Sequence, residues 1–275
     1  MRGSMQRKKG MARRRRRALH WVPVSVVLLV IAGGIFLRPF EPTQIGAGGT
    51  LDVPSFSHLL GTDHMGRDVF SRVLDGASMT LFIALGTVLI GAVAGLVLGA
   101  SAGYFGGMLD EIVMRISDGI TAFPSVLIAL VVVSLTGSTT GHLIVILGVL
   151  FVPSFSRVAR GEFLRCRNLD YVKRARLIGA SPWRIMLRHI LPNTLPVYLS
   201  AVAIGFNNAV LAEASMSFLG LGVQPPTISL GRMLSDSQVY LFTAPWIAIS
   251  TGITIVLLVF SFSLLADGLS GRRGR

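Results

Sequence analysis

Six runs of predominantly apolar residues constrain this chain more than any other feature of its sequence. They extend from Trp21 to Leu37, Met79 to Ala102, Gly119 to Leu135, His142 to Ala159, Leu195 to Leu211 and Trp246 to Ala266. A hydrocarbon core of ~30 Å is crossed by about 20 helical residues at ~1.5 Å each, so runs of this length are candidates to span a bilayer. Lipid offers no hydrogen-bonding partner to an open backbone, which leaves the helix as the spanning form for runs of this kind. The expected fold is therefore an all-α membrane protein with six transmembrane helices. Composition agrees: 52% of the residues are hydrophobic and 14% charged, against about 25% charged in an average soluble domain.

The placement of the basic residues sets the expected orientation, because lysine and arginine are retained on the cytoplasmic side. Nine lie in the amino tail: Arg2, Arg7, Lys8, Lys9 and the run at 13–17. Arg115 lies between spans two and three, nine more between spans four and five, and three at the carboxyl end. The opposite side holds only Arg38, Arg67, Arg72 and Arg232. Both termini are expected to be cytoplasmic. The formal charge of +13 is thus a topological signal and not a nucleic-acid surface, and the arginine run at 13–17 is read as an anchor on anionic lipid. A second reading of residues 1–34 as a cleaved signal peptide leaves the orientation of the later spans unchanged. The opening MRGSM is assigned no function.

Enzyme chemistry finds no support. There is no G-x-x-x-x-G-K-[ST] loop, so ATP binding through a Walker motif is not expected of this chain. His20, His58, His64, His142 and His189 form no i, i+4 pair around an acid, and Cys166 is the lone cysteine, so no metal site is expected. The middles of the spans hold no ionisable residue, which argues against an ion-coupled carrier and for a translocator powered by a partner. Gly91, Gly95, Gly99 and Gly103 recur every four residues and offer one small-residue face for close helix packing, within the subunit or against a second one.

Residues 161–192 are patterned as more than a tether. Tyr171 to Ile178 read as a helix, Gly179 as a turn, and Ser181 with Pro182 as the N-cap and first position of a second helix. On that helix Trp183, Ile185, Met186 and Ile190 offer apolar contact, while Arg184, Arg188 and His189 are polar. Such a helix lies on the membrane surface or plugs into a groove on another protein. Elsewhere, Asp63, Arg67, Asp68 and Arg72 have spacings that allow ion pairs and caps in the expected external segment. Asn207 and Asn208 are adjacent amides in span five that cannot both face lipid without cost. Glu213, with Ser215 and Ser217, is read either as part of an external gate or as a helix-end hydrogen bond.

The loop resembles the cytoplasmic EAA loop of bacterial ABC importer permeases: E-A-A, three residues, G, nine residues, I-x-L-P. Ala175, Gly179, Leu191 and Pro192 match it, while Lys173, Arg174 and His189 depart from it. HLLGTDHMGRDVFSRVLDGASMTL from His58 to Leu81, including Gly66, and AEASMSFLGLGVQPPT from Ala212 to Thr227 are similar to segments of the dipeptide, oligopeptide and nickel permeases. Leu230 stands where that group usually has tryptophan.

The resemblance implies an ATP-driven importer permease in the cell membrane. Its last five spans would form the binding-protein-dependent permease core, paired with a second related permease as a heterodimer. Two ABC ATPase subunits would bind ATP and Mg, and an extracytoplasmic substrate-binding protein would deliver di- or oligopeptides. Nickel, a metal chelate or glutathione are the alternative cargoes. The coupling loop would comprise Lys173, Arg174, Ala175, Gly179, Ser181, Pro182, Trp183, Leu191 and Pro192, and the candidate translocation path Asn207, Asn208, Glu213 and Ser217. The chain divides accordingly into a basic tail (1–20), a first transmembrane helix (21–37), an external segment (38–77), the permease core (78–267) and a cytoplasmic tail (268–275).

Overall fold

The computed structural model describes residues 38–270, without the side chains of residues 265 and 267–270. The expected span from Trp21 to Leu37, the amino tail and residues 271–275 lie outside the described residues, while residues 268–270 of the expected carboxyl tail continue the last helix. Within them the chain is helical: α1 (Val69–Phe105), α2 (Gly107–Thr121), α3 (Ser125–Thr136), α4 (Thr140–Cys166), α5 (Asp170–Leu177), α6 (Pro182–Phe218), α7 (Leu230–Ser237) and α8 (Pro245–Ser270). One isolated bridge, Thr62 with Asp68, is the extent of β-pairing among the described residues. Among the described residues four helices are long and apolar enough to cross a membrane: Val69–Phe105, Thr140–Cys166, Pro182–Phe218 and Pro245–Leu264. A fifth crossing is available if α2 and α3 together make one.

The expected third span, Gly119 to Leu135, is not one straight helix. It is split between the end of α2 and α3, which meet at 82°. Pro124 causes the break: it has extended ψ (122°) and stands as the N-cap of α3. Its ring disfavours helical backbone at the preceding residue, so α2 ends and α3 starts in a new direction. Proline has the opposite outcome in α6, which runs through Pro192 and Pro196. Residues Ile185–Ile190 widen into a π-helical turn in which the Leu191 N–H reaches back to the Met186 carbonyl. That wider turn lets the backbone pass Pro192, which has no N–H to give to an α-type bond. Loop helix and fifth span are consequently one helix of 37 residues and not two.

Thr80–Thr227 form one compact unit and the described residues on either side of them form another. In the first, α1 packs on α4 along its glycines. A Cβ on Gly91 would lie 2.9 Å from the Phe151 Cβ, one on Gly95 2.5 Å from the Phe155 Cβ, and one on Gly103 2.5 Å from the Arg160 carbonyl oxygen. Gly99 is closer still to the Ser156 carbonyl. The small-residue face is therefore an internal seam, where backbones approach because no side chain holds them apart. The Tyr198 hydroxyl on α6 donates to the Ala92 carbonyl at 2.6 Å, tying α6 to the same stretch of α1. In the other unit, α7 packs against α8, and residues 38–68 fold as an irregular segment held by local hydrogen bonds.

Candidate functional site

The loop between α4 and α6 has its own apolar core. Ile185, Met186 and Ile190 from the first turns of α6 are buried with Val172 and Ala175 of α5, Phe163 and Cys166 of α4, and Ala100 and Tyr104 of α1. The apolar face that sequence periodicity offers to a partner is thus turned inward, with the exception of Trp183. That ring is 62% exposed and stands edge-on to Phe105, with centroids 6.3 Å apart. The most exposed apolar groups of the loop are Leu177 and Ile178 at the end of α5, 87% and 84% exposed, ahead of Leu187 at 61%. Periodicity alone marks Leu177 and Ile178 only as helix residues. The signal that finds them is their position immediately before the turn glycine.

Gly179 ends α5 with φ of +79°, a left-handed conformation in which a Cβ is unfavourable. The Ala180 N–H bonds the Ala175 carbonyl and the Gly179 N–H bonds the Arg176 carbonyl, both at 3.0 Å. This is a Schellman arrangement, which satisfies the last carbonyls of α5. Ser181 then caps α6, its hydroxyl accepting from the Arg184 N–H at 3.4 Å, with Pro182 in the first turn. Lys173 and Arg174 are exposed, Lys173 lying 3.6 Å from Asp170. Ala175 is buried, Leu191 packs against the loop core and Pro192 is exposed. The loop is also fastened to the end of α1. Arg176 lies over the Tyr104 ring at 5.3 Å, and Arg167 donates to the carbonyls of Gly103 and Tyr104 at 3.2 and 3.3 Å. Burial pushes the Tyr171 phenol above its ordinary pKa.

A cavity of about 500 Å³ opens between the α2–α3 pair, α4 and α6. Its polar lining is Thr121, Ser125, Ser154, Asn208 and Ser215, and its apolar lining includes Phe123, Phe151 and Leu211. The volume is within the ~300–1,000 Å³ range of small-molecule sites. Asn208 faces this cavity, whereas Asn207 is half-buried and not among its lining residues. Glu213 and Ser217 are fully buried. The Ser217 hydroxyl donates to the Glu213 carboxylate at 2.7 Å and accepts from the Val223 N–H at 3.1 Å, an arrangement that pins the turn after α6.

The Gly-Thr-Asp-x-x-Gly-Arg-Asp motif closes on itself. Asp63 accepts from the Met65 and Arg67 N–H groups at 2.8 and 3.0 Å and from the Arg67 side chain at 2.6 Å, and Arg72 approaches it at 3.4 Å. Asp68 caps α1, taking the Ser71 N–H and hydroxyl on one oxygen and His58 at 2.9 Å on the other. Gly66 has φ of +71°, and a Cβ there would lie 2.5 Å from the Gly48 carbonyl oxygen. Every motif residue named from sequence has a structural partner within the segment. Among the described residues no group of three or more His, Cys, Asp or Glu could hold a metal ion.

An all-helical chain with several membrane-long helices, an ordered, exposed loop hairpin and a polar-lined cavity between its helices has the parts that a transport permease needs. Residues 95–275 match the model of the binding-protein-dependent transport system inner membrane component family, and the chain belongs to that family. It is a permease of an ABC importer, a multi-pass membrane subunit that works with a separate ATPase, another permease subunit and a binding protein, and it carries no ATPase activity of its own. Among curated proteins it is 40% identical over 247 residues to the glutathione transport system permease protein GsiD of Pectobacterium atrosepticum, covering 88% of this chain and 82% of the relative. It is 34% identical over 252 residues to the dipeptide transport system permease protein DppC of Haemophilus influenzae, covering 90% and 85%. Its fold is similar to that of a chain in an inward-facing structure of the MetNI methionine ABC transporter, with a TM-score of 0.62, 20% identity and coverage of 74% of this chain and 97% of that one.

Proposed function

We propose that this permease imports short peptides of two or three residues, glutathione included, and that the loop at 161–192 is where an ATPase subunit docks. The cargo reading is supported by relatives named for glutathione and dipeptide transport. The cavity agrees with it in chemistry, since hydroxyls and the Asn208 amide can bond peptide groups along an otherwise apolar wall. A bare nickel ion would want His, Cys or carboxylate ligands, so the peptide is the better fit. The docking reading is carried by one observation: two large apolar side chains, Leu177 and Ile178, stand almost fully exposed at the tip of a loop that has a packed core beneath them. Lys173, Arg174, Ser181, Trp183 and Arg184 surround that tip on exposed positions.

In this reading the chain has six spans with both termini in the cytoplasm and is one half of a heterodimer. Two ATPases hold ATP and Mg on the cytoplasmic side, and a binding protein docks on the external side. Nucleotide binding closes the ATPases and swings the loop, which is fastened to both α1 and α6 and so moves two helices together. The test is reconstitution of the chain with its neighbouring permease, ATPase and binding-protein subunits in liposomes. Labelled dialanine, trialanine and glutathione are offered with and without internal ATP. ATP-dependent uptake of one of them is expected. Uptake without the ATPases, or of none of the three peptides while nickel is taken up, would overturn the proposal.

A further inference from the structure

The α2–α3 pair supplies one wall of the cavity, through Ile120, Thr121, Phe123, Ser125 and Val126. The 82° break lies within that stretch. α4 grips α2 at two places. Near the start of α2, Arg160 takes both carboxylate oxygens of Asp110, one of them at 2.6 Å, with side chains 33% and 19% exposed. At the end of α2, a single nitrogen of Arg157 serves the whole last turn. Its Nη2 donates to the Thr121 hydroxyl at 2.7 Å and to Asp118 at 3.1 Å, and approaches the Ser117 carbonyl at 3.4 Å. The Thr121 hydroxyl in turn donates a hydrogen bond to the Ser117 carbonyl at 2.9 Å.

The two grips differ in kind. A two-pronged arginine–carboxylate pair fixes orientation as well as distance, whereas the Arg157–Asp118 pair is 41% and 70% exposed and belongs to the class of ion pairs that break readily. A cation at a helix C-terminus is favoured by the helix dipole, so Arg157 closes on the end of α2 without needing burial. Beyond that point the chain turns at Pro124 with no N–H to brace it. From this we infer that Arg157 is a positioning residue for the transport path: it latches the end of α2 through Asp118 and Thr121, holds the α2–α3 wall of the cavity in place, and releases it as the cavity changes access, with the Arg160–Asp110 pair as the fixed end. The latch rests on the reading of the cavity as part of the cargo path.

The test reads wall position without needing a cargo. In the assembled complex with its partner subunits, Ser125→Cys is labelled with a membrane-impermeant maleimide, without nucleotide and with ATP trapped by vanadate. The structure predicts that Arg157→Ala raises the nucleotide-free labelling rate by about fivefold, as expected for loss of an exposed pair that biases two positions of a wall. Nucleotide should then change the rate little. Arg157→Lys, which keeps the charge and three donors on one nitrogen but on a shorter side chain, should fall between the two, and exchanging the pair (Arg157→Asp with Asp118→Arg) should return the rate toward that of the parent. Arg115→Ala, which removes an exposed pair with Glu111 on the same helix, should leave it unchanged. A purely structural role for Arg157 would lower the yield of complex and leave the rate per complex alone, and that result refutes the latch. An unaltered rate in both Arg157 variants refutes it as well. Absence of peptide uptake by the parent complex bears only on the cargo, because labelling does not depend on it.

Discussion

Substitution of Gly95 by alanine probes the seam between α1 and α4 directly. The added Cβ would sit 2.5 Å from the Phe155 Cβ, 3.0 Å from the Ser156 nitrogen and 3.1 Å from the Phe155 carbonyl carbon. Two of these three atoms are backbone, so no change of rotamer relieves the contact. Carbon atoms rest at ~3.5–4.0 Å, so the helices must part by about 1 Å at this rung. Overpacking of this kind costs ~1–3 kcal/mol. The control is Gly161→Ala on α4, where nothing lies within 4 Å of the new carbon. Both variants gain the ~1 kcal/mol by which alanine exceeds glycine inside a helix, so the difference between them isolates the steric cost. Reversible unfolding in mixed micelles of dodecyl maltoside and sodium dodecyl sulfate, followed by circular dichroism, gives the two free energies. Gly95→Ala is expected to be the less stable by ~1–3 kcal/mol. Equal stabilities of the two variants would show that the glycine seam does not hold α1 against α4, and the packing argument would fall.

Three further outcomes are expected. Leu177→Asp at the 87%-exposed loop tip should leave unfolding unchanged but reduce ATP-driven uptake by more than ~10-fold, the effect of losing an interface anchor; normal uptake would remove Leu177 from the docking surface. Ile190→Ala, in the buried loop core, should cost ~2–5 kcal/mol and show in the same unfolding assay, separating a core role from a docking one. Asp68→Ala removes the cap of α1 together with the partner of His58; a loss of ~1 kcal/mol or more should accompany faster proteolysis within residues 38–68, and unchanged proteolysis would argue that the motif does not depend on this carboxylate.

Much of the architecture is legible in the one-dimensional pattern, because hydropathy and local stereochemistry act over short stretches. Four of the six apolar runs lie within long helices, Gly179 has the left-handed φ that its role as a turn requires, and Ser181 with Pro182 opens α6 as the N-cap rule demands. The break at Pro124 is open to the same local reasoning, because a proline disfavours helix at the residue before it, but hydropathy alone runs unbroken across it. The passage of α6 through Pro192 was not legible, because a π-turn depends on how tertiary packing holds the two sides of the proline.

By itself, then, the sequence determined that this chain is a helical membrane protein with an ordered basic loop, since the apolar and basic residues are distributed too unevenly for anything else. Only the tertiary structure decided which surfaces are available. Periodicity marks Ile185, Met186 and Ile190 as a face but is silent on what covers it; α1, α4 and α5 cover it, and Leu177 and Ile178 are left outside. Two adjacent asparagines are equivalent in sequence, yet a helix turns ~100° per residue, which aims Asn208 at the cavity and leaves Asn207 outside its lining. Arg157 and Asp118 are 39 residues apart, and only the packing of α2 on α4 brings them within one hydrogen bond.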